Sequence, residues 1–355
     1  MTENYGLKIE ENVSLAPLTT LKIGGAARFF VSARSESEVV EAIRFARENS
    51  LEIFVLGGGS NVLISDKGFD GLVLQIALKG VSAFQEPDGT VYVKAQAGED
   101  WDELVAFCVE KNLAGIECLS GIPGLVGGTP VQNVGAYGQE VSETIVSVRV
   151  FDRKNNELTE LTNAGCGFAY RASIFNTSEK NRYIVLGVTY ALKYGGAPKI
   201  VYRDLQNFFG DKEPDLAETR EAVLKIRAEK SMVINENDPN SRSAGSFFKN
   251  PLVSNIKFAL IAERAEALGI KEVPRFYVDD ETVKIPAAWL IEKSGFQKGL
   301  RRGNAGLSTR HTLAIINTGG ATAADILNLK DEIQSKVKEN FGVRLVPEPV
   351  FVGFD

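Results

Sequence analysis

The sequence predicts an α+β protein with more than one domain, on three observations. Strand-like runs and helix-like runs are mixed along the chain, with period-two and 3.6-residue apolar patterns both present. At 355 residues the chain is too long for one ordinary core, which makes two or three domains the expectation. Two glycine-rich segments, Gly57–Asn61 and Ser120–Gly138, punctuate the N-terminal half, and a polar stretch, Asn235–Ser243, reads as a linker because it lacks any apolar period.

Taken in order, Lys22–Ser32 is strand-like, and Ser35-x-x-Glu38 forms a capping box. A helix with Val39, Ile43 and Ala46 on one face follows. Ile53–Leu56 reads as a short buried strand running into the first glycine loop. A second unit repeats the logic. Val91–Ala95 is its strand, Asp100-x-x-Glu103 its capping box, and its helix passes through Leu104, Phe107 and Cys108. Beyond the second glycine segment the pattern turns to β: Val146–Phe151, a polar Asp152–Asn156 turn, then Tyr183–Leu192. An amphipathic helix runs from about Pro214 to about Lys230. A last helix carries Ile326, Leu329, Ile333 and Val337 and stops at Gly342. Val343–Val346 reads as a strand leading into Pro347-Glu348-Pro349 and returning to an earlier sheet.

Composition excludes several classes. With 44% hydrophobic and 24% charged residues the chain is ordinary globular material. A net charge of -6 argues against a general nucleic-acid binder, while leaving room for a local basic pocket that takes an anionic small molecule. Cys108, Cys118 and Cys166 form no C-x-x-C pair, and His311 is the single histidine, so no zinc site is expected and the thiols read as reduced, cytoplasmic ones. Met1–Tyr5 opens with charge and without an apolar run, so no secretory signal is read there. Cys118–Gln139 is uncharged, but its glycines, two prolines, Gln132 and Asn133 make it unsuited to span a membrane.

The first glycine loop, Gly57, Gly58, Gly59, Ser60 and Asn61, follows a strand, as a phosphate cradle should. It lacks the Gly-Lys-Ser/Thr of a P-loop, and Val62 stands where the third glycine of G-x-G-x-x-G belongs. Taken alone, a tight structural turn is as good a reading. The second segment holds Ser120, Gly121, Ile122, Gly124, Gly127, Gly128, Gln132, Asn133, Gly135, Ala136 and Tyr137. So many glycines cost backbone entropy on ordering, which a large diphosphate-bearing ligand would offset. Further on, Ala244-Gly245-Ser246-Phe247-Phe248-Lys249-Asn250-Pro251 compresses a hydroxyl, an ammonium and an amide around two aromatics, a composition suited to gripping and protonating a substrate. A turn or cap hydroxyl is the plain alternative for Ser246 taken by itself.

These segments resemble one family along nearly the whole chain and in the right order. Thr19–Gly25, Gly57–Leu63, Gly121-Ile122-Pro123-Gly124-x-x-Gly127-Gly128 and Gln132-Asn133-x-Gly135-Ala136-Tyr137-Gly138 are similar to the FAD-binding half of UDP-N-acetylenolpyruvoylglucosamine reductases. Gly167-x-x-Tyr170-Arg171-x-Ser173-x-Phe175, Ala244–Pro251 and Pro347-Glu348 extend the match. The resemblance implies a two-part FAD domain of the vanillyl-alcohol-oxidase (PCMH) type and a smaller α+β substrate domain. The implied parts are 1–79 and 80–218, the latter completed by 343–355, with a substrate-binding domain at 219–342. It implies non-covalent FAD, NADPH as co-substrate and the peptidoglycan-precursor reaction, in which an enolpyruvyl ether becomes a lactyl ether. A histidyl-linked flavin is not expected, since His311 lies outside the cofactor region.

By the same resemblance Ser246 is the proton donor, while Arg171 and Glu348 stabilise the developing enolate. Tyr202, Lys230 and Asn250 contact the nucleotide-sugar, Tyr202 lying in a Val201–Leu205 segment that marks the longer type of this reductase. Lys230 also reads as a solvated helix-end lysine. His311 falls where the family has a substrate-contacting glutamine, and a satisfied loop histidine is its plainer reading. Val350 stands where an arginine that helps the flavin is expected, so that contact is in doubt. No nucleic acid, membrane insertion or obligate protein partner is implied. The competing classes are another FAD oxidoreductase of this fold acting on a sugar or alcohol, and a non-catalytic nucleotide-sugar or flavin-binding module.

Overall fold

The computed structural model describes residues 6–354, so the reading made on Met1–Tyr5 lies outside it. The chain forms two compact units. The first collects Met1–Val13, Ala27–Gly59 and Asp70–Val233, and the second Ser14–Ala26, Ser60–Phe69 and Ile234–Asp355.

In the first unit a four-stranded sheet has the order Glu10–Ser14, Ala26–Ala33, Phe69–Ile76, Ile53–Leu56, the last two being parallel. The helix α1, Glu36–Glu48, buries Val39, Ile43 and Ala46 as expected. Ser35 Oγ accepts the Glu38 N–H at its N-terminus, but the Glu38 carboxylate takes the Arg34 N–H rather than that of Ser35. The box is therefore half made. The helix α2, Trp101–Glu110, is capped by Asp100, which accepts the Glu103 N–H at 3.0 Å. A cap of this kind is worth about 1 kcal/mol.

The larger, six-stranded sheet of this unit runs Glu157–Thr162, Ile145–Asp152, Tyr183–Tyr194, Thr90–Gln96, Val81–Gln85, with Leu113–Ala114 also on the Tyr183–Tyr194 strand. Every pairing in it is antiparallel. One core, containing Trp101, Tyr190 and Phe151, joins α1, α2 and both sheets. Two further helices, α3 at Arg203–Phe209 and α4 at Leu216–Glu229, close the unit, the latter with a reciprocal Asp215–Glu218 capping box. The uncharged Cys118–Gln139 stretch folds into short 3-10 turns, and no helix among the described residues is long and apolar enough to cross a membrane.

The second unit packs the helices α5, Asn255–Ala267, and α6, Ala287–Lys293, against the long α7, Ala323–Phe341. Ile326, Leu329, Ile333 and Val337 of α7 are fully buried, and Gly342 ends the helix at φ +69°. Both Asp66 oxygens accept backbone N–H groups at its N-terminus, from Ala323 at 2.8 Å and Ala324 at 3.2 Å.

Two strand readings are corrected, at Val343–Val346 and Lys22–Ser32. The contacts make two units, and Val350–Val352 pairs in parallel with Val62–Ile64. Leu63 belongs to the second unit's core, so that partner buries apolar surface which chain periodicity does not reveal. Val343–Val346 is not a laddered strand. Val343 and Leu345 are buried alternately as predicted, but the stretch makes one backbone bond to Lys249, at Val346 O, and its Leu345 carbonyl accepts from the Gln334 side chain. The strand read at Lys22–Ser32 begins only at Ala26, because Lys22 at φ +56° and Gly24 at φ +138° turn the chain. Asn235–Ser243 begins at the unit boundary but is tied down, with Asn240 accepting the Thr309 N–H and Arg242 O accepting that of Asn317.

Candidate active site

The two glycine segments meet back to back in the first unit. A Cβ on Gly58 would stand 2.8 Å from the Gly124 Cα, so only a glycine pair lets the backbones approach this closely. At Gly57 and Gly128 a Cβ would meet no protein atom within 4 Å. Bare backbone facing open space beside such a close contact fits the approach of a large ligand, and suits the FAD expected there. Ser60 and Asn61, the rest of the first loop, belong to the second unit.

Several of the expected contact residues have partners within the chain. The Gly121 N–H donates to Asp102 Oδ1 at 2.6 Å, Gly127 N–H to Ala97 O and Gly128 N–H to Leu125 O, so these bonds hold the loop. Ser120 is fully buried and donates to Glu117 O. Asn133 is buried too, bonded to Glu140, Ala169 O and the Ser142 N–H. Both side chains shape the segment. Ile122 packs against the core, and Ala136 pairs with Gln139 in a two-stranded ribbon. Gln132 is half-buried.

Carboxylates that sequence reasoning passed over fix this segment. Asp102 takes a bidentate pair from Arg220 at 2.6 and 2.9 Å. Burial is the largest influence on the Asp102 carboxyl and raises its pKa, but Arg220 and the Gly121 amide outweigh it and the net shift is downward. Arg227 grips the other side of Gly121 through its carbonyl at 3.2 Å. Buried Glu117 accepts from the Gly115 N–H, the Lys199 N–H and Gln139 Nε2. A lone Asp or Glu between apolar residues gives no such signal, since its partners lie elsewhere in the chain.

Arg171 sits in a turn closed by the Ala169–Ala172 bridge, at φ +53°, a strained value for a side-chain-bearing residue that costs on the order of 1–3 kcal/mol. Asn176 donates to its carbonyl, and Ser173 Oγ ties the turn to Val131 O. The guanidinium donates to Gly135 O at 2.6 Å, and a Cβ on Gly135 would come within 3.1 Å of Nη1. The predicted arginine is thus built onto the glycine segment.

Tyr137, Tyr202 and Lys230 also come together. The two rings pack edge to face at 5.5 Å, and Lys230 Nζ lies 6.0 Å over the Tyr137 ring and 2.6 Å from Asp204 Oδ2. Burial pulls the Lys230 pKa down, but the Asp204 bond and the tyrosines outweigh it and the net shift is upward. Burial raises the Tyr137 pKa. Lys230 is accordingly a placed cation and not a loose helix-end lysine.

In the second unit Gly245 turns the chain at φ +72° ahead of half-buried Ser246, and Phe247 and Phe248 anchor the loop in the core at 0% and 1% exposure. The Phe247 carbonyl accepts the Glu348 N–H at 2.9 Å, and Phe248 bridges Pro347, which sets Glu348 beside the Ser246 loop. The Phe247 N–H donates to Leu313 O, bringing in the half-buried His311 loop. Asn61 takes part as well, donating to Glu348 O at 3.4 Å and accepting the Val350 N–H. Thr20, in the Thr19–Gly25 motif, donates to Ser243 O at 2.6 Å. Asn250 Oδ1 accepts the Ala287 N–H at the start of α6, which fixes the side chain and points its amide nitrogen away from that helix end as a donor for a ligand.

Comparison with known proteins matches an FAD binding domain family over residues 27–162 and the C-terminal domain of UDP-N-acetylenolpyruvoylglucosamine reductase over 238–352. A UDP-N-acetylenolpyruvoylglucosamine reductase of Thermobifida fusca is 46% identical over 96% of this chain and 97% of its own. The chain belongs to the UDP-N-acetylenolpyruvoylglucosamine reductase family. The Streptomyces coelicolor reductase is likewise 46% identical, over 96% of this chain and 89% of its own. Among solved structures, the reductase of Thermus caldophilus superposes with a TM-score of 0.65 at 25% identity, over 98% of this chain and 99% of that one. As in the family expectation, the fold is α+β with an FAD-binding part and a distinct C-terminal domain.

Proposed function

We infer that this chain is an FAD-dependent reductase that converts UDP-N-acetylglucosamine enolpyruvate to UDP-N-acetylmuramate with NADPH as the electron source, a step of peptidoglycan-precursor synthesis. The observation that carries the reading is the register of Glu348 beside the Ser246 loop, found in a chain that matches this family from end to end. FAD, when bound, would supply the two-electron chemistry that links NADPH to the enolpyruvyl double bond.

The chain's own residues handle charge and proton. Adding a hydride to the terminal enolpyruvyl carbon leaves negative charge on the adjacent carbon and its carboxylate. Arg171, held rigid by Gly135 O and its pinned turn, is the fixed cation for that charge. Ser246 gives the proton to the adjacent carbon, and Glu348 hydrogen-bonds the developing enol. Tyr202, Lys230, the Asn250 amide nitrogen and His311 are proposed to hold the nucleotide-sugar, with Lys230 on the diphosphate. Gly57–Asn61 and the Ser120–Tyr137 segment hold FAD without a covalent link. The nucleotide-sugar substrate in the name of the relatives suits an enzyme that acts on a small molecule in the cytoplasm.

The test is anaerobic. The purified protein is reduced with NADPH and then given UDP-N-acetylglucosamine enolpyruvate. The oxidised flavin spectrum should return on mixing. Reoxidation no faster with substrate than without it would refute the assignment.

A further inference from the structure

The first unit carries a cavity of about 590 Å³ at the start of the Ile53–Leu56 strand, the end opposite to the Gly57 loop and roughly 13 Å from it by strand rise. Its volume falls in the range of small-molecule sites. Ile43, Leu51 and Ile53 supply an apolar floor. The rim is cationic in a chain of net charge -6, with Arg47, Arg153, Lys154, Lys180 and Arg182 against one lining carboxylate, Glu179. Arg182 is neutralised by Asp152 at 2.7 Å and Glu179 at 3.0 Å. The other four cations have no carboxylate within ion-pair distance among the described residues. Two of them are nonetheless placed: Arg47 Nη2 donates to Asn156 Oδ1 at 2.9 Å, and Arg153 Nη1 to Asn181 O at 2.8 Å.

We propose that this cavity is a binding site for a nucleoside polyphosphate, its phosphates on Arg47, Arg153, Lys154 and Lys180 and its base over the Ile43–Leu51–Ile53 floor. Like charges gathered without a counter-charge cost free energy, which a polyanion relieves. Arg153 reports this strain, since burial first and then repulsion from Arg47 lower its pKa. Guanidiniums already fixed through one nitrogen, exposed at Arg47 and half-buried at Arg153, keep further N–H groups for bidentate phosphate contact. The site is independent of the reductase reading, because no residue of it belongs to the glycine loops or the Ser246 region.

Isothermal titration of the FAD-loaded enzyme with adenosine triphosphate and with inorganic triphosphate tests the proposal. Adenosine triphosphate should bind saturably and several-fold more tightly than inorganic triphosphate. The Lys154→Glu/Lys180→Glu variant, altered at two exposed positions, should bind about tenfold or more weakly, with NADPH-driven turnover unchanged. Arg153→Gln should weaken binding similarly, and Lys257→Glu in the second unit should not. Absence of saturation by about 10 mM, or equal binding by the charge-reversed variant, would place nucleotide elsewhere and overturn the site. Equal affinity for the two ligands would remove the nucleoside half of the proposal.

Discussion

The glycine segments of the first unit and the Ser246–Glu348 region of the second solve opposite problems. The site proposed in the first is made by removing side chains: Gly58 lies against Gly124, Gly57 and Gly128 face open space, and half-buried Asp102 and Arg227 with buried Glu117 hold the surrounding loop. The second builds a site by hanging side chains from a short backbone pairing, with Phe247 and Phe248 as anchors. The contrast separates two kinds of fragility. A backbone-built site fails when atoms are added, and a side-chain-built site fails when they are taken away.

The largest expected effect lies in the second region. Ser246→Ala removes only the proposed proton donor, so substrate-dependent flavin reoxidation should slow by about 10²–10⁴-fold while flavin reduction by NADPH stays nearly unchanged. Stopped-flow traces of the two half-reactions decide it. Equal slowing of both would make Ser246 a structural hydroxyl and blur the contrast.

The first region should respond to addition, and unequally at two neighbouring glycines. Gly58→Ala sets a methyl against backbone that cannot yield, and should cost about 1–3 kcal/mol with loss of retained FAD. Gly128→Ala enters open space, so its melting temperature should hold while FAD is retained about tenfold less tightly. Thermal melts with flavin released by acid precipitation compare the pair. A stable, flavin-loaded Gly58→Ala protein would show that the two loops are not in close contact.

The smallest effect is a control on the first unit alone. The Arg182 hydrogen bonds hold the Asp152 carboxyl at about 2, below its ordinary 3.8. A carboxyl lowered on folding contributes stability above its unfolded value, and that contribution fades as pH falls from about 4 towards 2. Melting temperature should drop across this window, and less steeply in Asp152→Asn. A parallel acid profile in the variant would assign the drop to other carboxylates.

Much of the fold was legible because its causes are local. Ser35 and Asp100 cap helices through groups three residues away, and Gly342 stops α7 by adopting a left-handed φ, so each cue and its effect share one turn of chain. The Val343–Val346 reading failed where apolar alternation was genuine but the ladder partner was missing, and the Lys22–Ser32 reading began too early because Lys22 and Gly24 turn the chain ahead of Ala26. In the candidate site, Ser246, Arg171 and Glu348 were named from their motifs. Ser120 and Asn133 were named there too, while their bonds to Glu117, Glu140 and Ala169 came only from the structure.

The sequence alone determined which segments turn, cap and alternate, because those properties follow from dihedral preferences and hydrogen bonds within a few residues. Tertiary structure alone decided which distant groups meet. Thr20 reaches Ser243 across 223 positions and Asn61 reaches Glu348 across 287. Asp102 secures Gly121, and the C-terminal strand chooses Val62–Ile64. A buried donor must find an acceptor wherever the packed chain offers one, and nothing in the neighbouring residues specifies where that is.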